Sequence, residues 1–386
     1  MKIALVSPYD FAHPGGVASH ISSLEQQFTR MGHDVKIIAP ASRVIKDFGD
    51  RFISIGRPYP IPSSDSVIRV PISLHLAPII KETLAREQFD IIHLHEPFMP
   101  MLCSAIVRLS NNTVNVGTFH AAEGKPGYNW GRPVSTWMIR RRLHNLHGRI
   151  AVSKPAQDYH SKYIPGPYEI IPNGIDLEPF SDKVAPFEEY RDGKKNILFV
   201  GRLEFRKGLN YLLNAFLLVK REIPDVRLIV VGPGTRLRRR YERWVQKTGL
   251  EKDVIFAGYV SNEDKARYYK TADIFCAPAT SRESFGIVLL EAMATGKPVV
   301  ATNIPGYASV VSDGEDGILV PPQNYNELSR ALKTLLNDEN LCEQMGMKGK
   351  AKSRNFSWEL VAQQVMDYYL RIIGEVRGKN AADSMT

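Results

Sequence analysis

Cysteine is scarce: Cys103, Cys276 and Cys342 are the only three in 386 residues. They are scattered, odd in number and form no Cys-x-x-Cys, which argues against a disulfide framework or a structural zinc site and fits a reducing cytosol. No apolar run approaches the roughly eighteen residues that span a bilayer, so any membrane contact is expected to be peripheral. The opening stretch, Lys2-Ile3-Ala4-Leu5-Val6, is too short for the apolar core of a signal peptide. The dinucleotide fingerprint Gly-x-Gly-x-x-Gly is missing after the first strand. No Asp-x-Asp occurs, which argues against a diphosphate bridged by a metal ion. Solenoid-period repeats and low-complexity tracts are absent too.

What is present is an ordinary globular composition, 44% hydrophobic and 24% charged, with a net charge of +9. The length suits two or three domains. The basic balance points to an anionic partner: nucleotide phosphates, an acidic lipid surface or nucleic acid.

The pattern along the first half alternates strand and helix. Residues 2–7 form a buried parallel strand, followed by a loop with Tyr9 and the pair Gly15-Gly16, a helix from Val17 to Met31, and a strand from Val35 to Ala39. Gly16 stands where unpaired helix N–H groups can receive an anion; it is equally a plain tight turn. Asp90 to His95 and Thr113 to Phe119 are further strands. Ligands of doubly wound sheets sit beyond such strand ends, where Tyr9, Glu96 and His120 fall. A histidine there can position or polarise a hydroxyl, although the commoner role of a histidine is structural. His93 and His95, read as alternating faces of the strand, do not make an i, i+4 metal pair. Trp130, Arg132, Trp137, Arg140, Arg141, Arg142 and Arg149 suit an acidic membrane interface or, equally, a solvated helix with one buried Trp. Asn173-Gly174, Pro179 and Pro186 mark the expected linker.

The second half repeats the alternation, with strands near Asn196, Val226, Val254, Asp273, Val299 and Gly317. Arg202, Arg206 and Lys207 follow the first of these, where they can clamp a diphosphate or form an exposed basic turn. The run Arg236 to Arg243 reads as a solvated helix face. The organising stretch is Glu283-Ser284-Phe285-Gly286-Ile287-Val288-Leu289-Leu290-Glu291, a loop entering a helix. Gly286 lets a ligand approach the backbone of Ser284, Phe285 and Ile287 at the helix mouth. Glu283 and Glu291 lie roughly 12 Å apart along the helix, too far to share a proton or metal but suited to two ends of one long ligand. A dipole-stabilising carboxylate and an unrelated second Glu would look the same. Trp358 to Ile373 is a last amphipathic segment, and Gly378 to Thr386 reads as a frayed tail.

In order, PGGV at the first loop, HxHEP at 93–97, FH at 119–120, GRIAVS at 148–153, IPNGID at 171–176, GRLEFRKG at 201–208 and ESFGIVLLEAMATGKPVV at 283–300 resemble the retaining glycosyltransferases of family 4. The nearest branch is the phosphatidylinositol mannosyltransferases. The resemblance implies an α/β GT-B fold: two doubly wound parallel-sheet, Rossmann-like domains with an interdomain cleft. Residues 1–175 would form the acceptor side, with a C-terminal helix at 357–375 returning to it, and residues 190–355 the nucleotide-sugar side. It also implies that Glu283 contacts the donor sugar and Glu291 the ribose. Gly16, Arg202 and Lys207 would hold the diphosphate, Val260 and Lys265 would lie near the nucleotide, and His120 would face the reacting centre. Tyr9 and Arg69 would receive a phosphate-bearing acceptor head. Ala18, Phe98 and Ser63-Ser64 depart from that branch on the acceptor side.

The expected reaction moves a hexose from GDP-mannose or a UDP-sugar to a lipid such as phosphatidylinositol or to a small polyol. No metal or other cofactor is expected, and no nucleic-acid partner. The expected location is the inner face of the cell membrane, in peripheral contact with anionic lipid. A family 4 transferase using a UDP-sugar, a sugar-nucleotide epimerase and a non-catalytic anion-binding protein are the alternatives.

Overall fold

Runs such as Ile3-Ala4-Leu5-Val6 and Ile197-Leu198-Phe199-Val200 have no polar alternation, and a strand of that kind must be covered on both faces. The computed structural model describes residues 1–383 apart from Pro14, Ser64, Asp65, Leu74, 123–136, Met138 and Thr235. Its chain divides into two units, Met1–Asn173 with Trp358–Thr386, and Gly174–Ser357.

The first unit holds a seven-stranded sheet in the order β3-β2-β1-β6-β7-β8-β9. The strands are β1 (Lys2–Val6), β2 (Asp34–Ala39), β3 (Phe52–Ser54), β6 (Ile91–His95), β7 (Val114–Phe119), β8 (Gly148–Ala151) and β9 (Glu169–Ile170), all paired in parallel. An antiparallel hairpin of β4 (Pro58–Ser63) and β5 (Ser66–Pro71) stands apart from it. The period of two divides β1 between two cores. Ile3 and Leu5 pack with Ile21, Leu24 and Phe28 of the Gly16–Arg30 helix, while Ala4 and Val6 pack with Leu102, Ile106 and Val107 on the other face.

The helix Trp358–Asp383 completes the first of those cores with Trp358, Val361, Val365 and Tyr369. Tyr368 Oη accepts the Arg149 backbone N–H at 2.7 Å, locking the helix to β8. Residues 378–383, read from sequence as a frayed tail, continue this helix, because each added turn extends a ladder already nucleated by packed residues.

The second unit holds a six-stranded parallel sheet in the order β12-β11-β10-β13-β14-β15. Its strands are β10 (Lys195–Val200), β11 (Val226–Val231), β12 (Val254–Gly258), β13 (Ile274–Ala277), β14 (Val299–Thr302) and β15 (Gly317–Val320). The segment read as a linker is packed here instead. Phe180 is buried against Tyr269, and Phe187 lies 4.6 Å from the Tyr268 ring.

Candidate functional site

In the second unit the strand order changes direction between β10 and β13, the point where doubly wound sheets bind ligands. After β10 the chain makes one 3-10 turn, Phe205–Lys207, and enters the Leu209–Glu222 helix through Gly208 at φ +72°. A Cβ on Gly208 would stand 1.8 Å from the Pro278 carbonyl oxygen, so only glycine lets this loop lie on the end of β13. Thr280 N–H donates to the Arg206 carbonyl at 2.7 Å and ties the two loops together.

That join brings distant charges into contact. Arg206 Nη1 and Lys207 Nζ reach Glu283 Oε1 at 2.5 and 2.8 Å. Arg206 Nε donates to Glu204 Oε2 at 2.8 Å, and Arg202 Nη1 lies 3.1 Å from Glu204 Oε1. Three cations thus share two carboxylates, leaving one positive charge in excess. Arg202 is the outermost, its side chain 52% exposed. The Glu283 backbone is itself held from below: a Cβ on Gly306 would come within 1.9 Å of its carbonyl oxygen.

Gly286, at φ +110°, opens the Ile287–Ala294 helix without a side-chain cap, so the helix mouth presents amide groups. Glu291 lies farther along it, nearly buried, accepting from Lys265 Nζ at 2.6 Å and Tyr269 Oη at 2.8 Å. The two glutamates therefore have separate cations. Ser284 is half-buried, whereas Phe285 is buried and tilted against Phe356, so a ligand would meet the backbone of Phe285 and not its ring. Val260 and Ile287 are partly buried against the same core.

In the first unit the order turns between β1 and β6. Beyond the ends of β1, β6 and β7 stand Tyr9, Glu96 and His120. Glu96, at φ +52°, accepts the backbone N–H groups of His120 and Ala121 on Oε1 at 2.8 and 3.3 Å. Tyr9 is half-buried; desolvation and then the nearby Glu96 charge push its phenol well above the ordinary value. Asp10 N–H donates to the Arg69 carbonyl at 2.8 Å, which links the Tyr9 loop to the hairpin carrying Arg69. Gly16 is exposed at the first turn of its helix, and a Cβ there would meet nothing within 4 Å. No described neighbour demands a glycine at that position.

Behind His120 lies a cluster the sequence reading missed. His93 and His95 share one face of β6, as residues two apart in a strand do, and their rings stack 4.6 Å apart; the expectation of opposite faces was wrong. The His95 and His120 rings lie side by side and nearly parallel, their centroids 5.1 Å apart, and His20 stands edge-on to both. His20 Nδ1 lies 3.0 Å from Asn173 Oδ1; His93 lies 2.6 Å from both Thr118 Oγ1 and Tyr369 Oη. Spacing could have found the His93–His95 pair, but nothing local marks His20 or Tyr369.

Burial holds these rings neutral. The His20 pKa is lowered to about 4, against a raising hydrogen bond from Asn173, and that of His93 to about 3, with His20 adding to the effect of burial. Because both values are depressed, the unfolded chain binds protons first, so stability is complete above about pH 6.5 and is lost as pH falls toward 4 and 3. Between pH 7.5 and 5 the first unit is expected to lose about 2 kcal/mol per such histidine. Hydrogen exchange at β6 across that range measures the loss, and His20→Asn should reduce it. Protection independent of pH would rule out neutral burial.

Trp130, Arg132 and Ser64 lie outside the described residues. Trp137 is 58% exposed with the Arg141 guanidinium 5.1 Å above its ring, while Ile139 faces the core. No described helix is long and apolar enough to cross a membrane.

A family model described as "Glycosyl transferases group 1" matches residues 181–352, and one described as "Glycosyltransferase Family 4" matches residues 14–179. The chain is 36% identical to the phosphatidyl-myo-inositol mannosyltransferase of Mycobacterium tuberculosis, covering 97% of this chain and 98% of that one. It is 35% identical to the protein of the same name from Propionibacterium freudenreichii, covering 100% and 97%. Among solved structures, a sucrose-phosphate synthase from Thermosynechococcus elongatus superposes with a TM-score of 0.76 at 24% identity, covering 97% of this chain and 99% of that one. A glycosyltransferase from Rickettsia africae gives 0.77 at 19%, covering 96% and 98%. These likenesses establish the GT-B fold.

Proposed function

The chain belongs to the group 1 glycosyl transferases with a family 4 amino-terminal half, and from that premise we propose that it transfers a hexose from a nucleotide diphosphate sugar to a lipid with retained anomeric configuration. GDP-mannose is the favoured donor and phosphatidylinositol the favoured acceptor, on the strength of the mannosyltransferase relatives. The observation that carries the proposal is the convergence of Arg206 and Lys207 on Glu283 at the end of β10, beside an uncapped helix mouth.

Arg202, Arg206, Lys207 and the amides after Gly286 offset charge on the departing diphosphate. Glu283 then orients the sugar, Glu291 the ribose, and Lys265 and Val260 line the nucleotide side. Gly16 approaches the diphosphate, His120 faces the reacting centre, and Tyr9 and Arg69 receive the acceptor head. The sugar C1–O bond to phosphate breaks as the acceptor oxygen bonds C1 from the same face. The acceptor proton passes to the leaving phosphate oxygen, and the nucleoside diphosphate departs. The net charge of +9 and the exposed Trp137–Arg141 pair support peripheral contact with anionic lipid on the inner membrane face.

The test supplies labelled GDP-mannose or UDP-glucose with phosphatidylinositol vesicles. Label from GDP-mannose is expected in the lipid phase. Transfer from UDP-glucose alone would move the assignment to a UDP-sugar transferase, and transfer from neither would overturn it.

A further inference from the structure

His95 is fully buried, stacked on His93 and nearly coplanar with His120, their planes 22° apart. Its Nδ1 lies 2.8 Å from His120 Nε2, while its own Nε2 has no hydrogen-bond partner among the described residues. Two neutral imidazoles at that distance share one proton, so one ring donates and the other accepts. If His120 donated from Nε2, His95 would accept on Nδ1 and carry its proton on Nε2. That would bury an N–H without an acceptor, an arrangement folded proteins avoid. If His95 donates from Nδ1, the unpartnered atom is a bare ring nitrogen.

We infer that His95 donates from Nδ1 to His120 Nε2 and so fixes His120 in the tautomer that carries its proton on Nδ1. His120 then meets a substrate oxygen as a neutral hydrogen-bond donor and has no lone pair to offer as a base. His95 is a positioning residue, one layer behind the ring it sets. Two further contacts hold the geometry: the Glu96 carboxylate anchors the His120 backbone N–H, and the His20 edge stands 5.0 Å from the His120 ring. The neighbouring titratable groups, His20, His93 and His160, all disfavour a proton on His120, as burial does first, which keeps the pair neutral.

What His120 Nδ1 touches rests on the transferase reading; the tautomer does not. The test is a two-bond proton–nitrogen spectrum of the full chain labelled at histidine nitrogen, with His120 assigned by its loss in His120→Asn. Near pH 7.5, His120 is expected to show a protonated Nδ1 and a bare Nε2. The reverse pattern overturns the inference whether or not the protein transfers sugar.

Two isosteric variants extend it. His95→Asn places an amide donor near the lost Nδ1 and should keep the His120 tautomer and most of kcat/KM. His95→Asp places an acceptor there and should reverse the tautomer and lower kcat/KM at least ~10-fold. Equal activity in the two variants with opposite tautomers would show that the proton's place on His120 does not matter. The expected wild-type spectrum with no transfer from either donor would defeat the transferase reading and leave the tautomer assignment standing. If His95→Asp does not fold, the wild-type spectrum still decides.

Discussion

Glu283→Gln is expected to lower kcat/KM by about 10²–10³, equivalent to roughly 2.7–4 kcal/mol of transition-state stabilisation. Lys207→Ala should fall in the same range. Binding separates the two variants. In the free protein Glu283 Oε1 holds both Arg206 and Lys207, so it competes with any phosphate for those cations. Removing its charge should leave GDP affinity unchanged or tighter while turnover collapses. Removing Lys207 should weaken GDP and slow turnover together. Initial rates with GDP-mannose, calorimetric titration with GDP and a melting curve distinguish these outcomes from misfolding. Near-normal turnover in both variants would remove Glu283 and Lys207 from the site.

Truncation before Trp358 is expected to unfold the first unit. Trp358, Val361, Ala362, Val365, Met366, Tyr368, Tyr369 and Ile372 are all buried. A large buried apolar side chain is worth about 1.5–3 kcal/mol, so the seven large ones here are comparable to or greater than the net stability of a domain, about 5–15 kcal/mol. The loss also strips Tyr369 Oη from His93 and Tyr368 Oη from the Arg149 backbone. Hydrogen exchange should show β1, β6 and β7 losing protection while β10, β11 and β13 retain it. Retained protection in β1 would mean the helix is an accessory to that core.

The alternation of strand and helix was legible because parallel strands covered on both faces must be apolar throughout. The hairpin of β4 and β5 was not, because Pro58, Pro60, Pro62 and Pro71 disguise it as a loop, although they suit strands outside a central sheet. Short β8 and β9 are held by their neighbours more than by their own four and two residues. The pattern around Glu283 and Glu291 marked a candidate ligand-binding stretch. It could not show that Glu283 is reached by Arg206 and Lys207 from the loop after β10, or that Lys265 and Tyr269 reach Glu291, because nothing in the local sequence specifies such pairings. The histidine cluster is harder still, since His20, His93, His120 and Tyr369 come from four remote segments. Strand-end position marked His120, and the two-residue spacing of His93 and His95, read correctly as one face, could have marked that pair.

The return of the last helix to the first unit has a bearing on biosynthesis. A ribosome must translate all of Gly174–Ser357, roughly 10–40 s of elongation, before the segment that covers Ile3, Leu5 and Phe28 exists. The earlier-made portion therefore waits with a bare apolar surface while the later one can mature, which makes the nascent amino-terminal half the natural client of a chaperone.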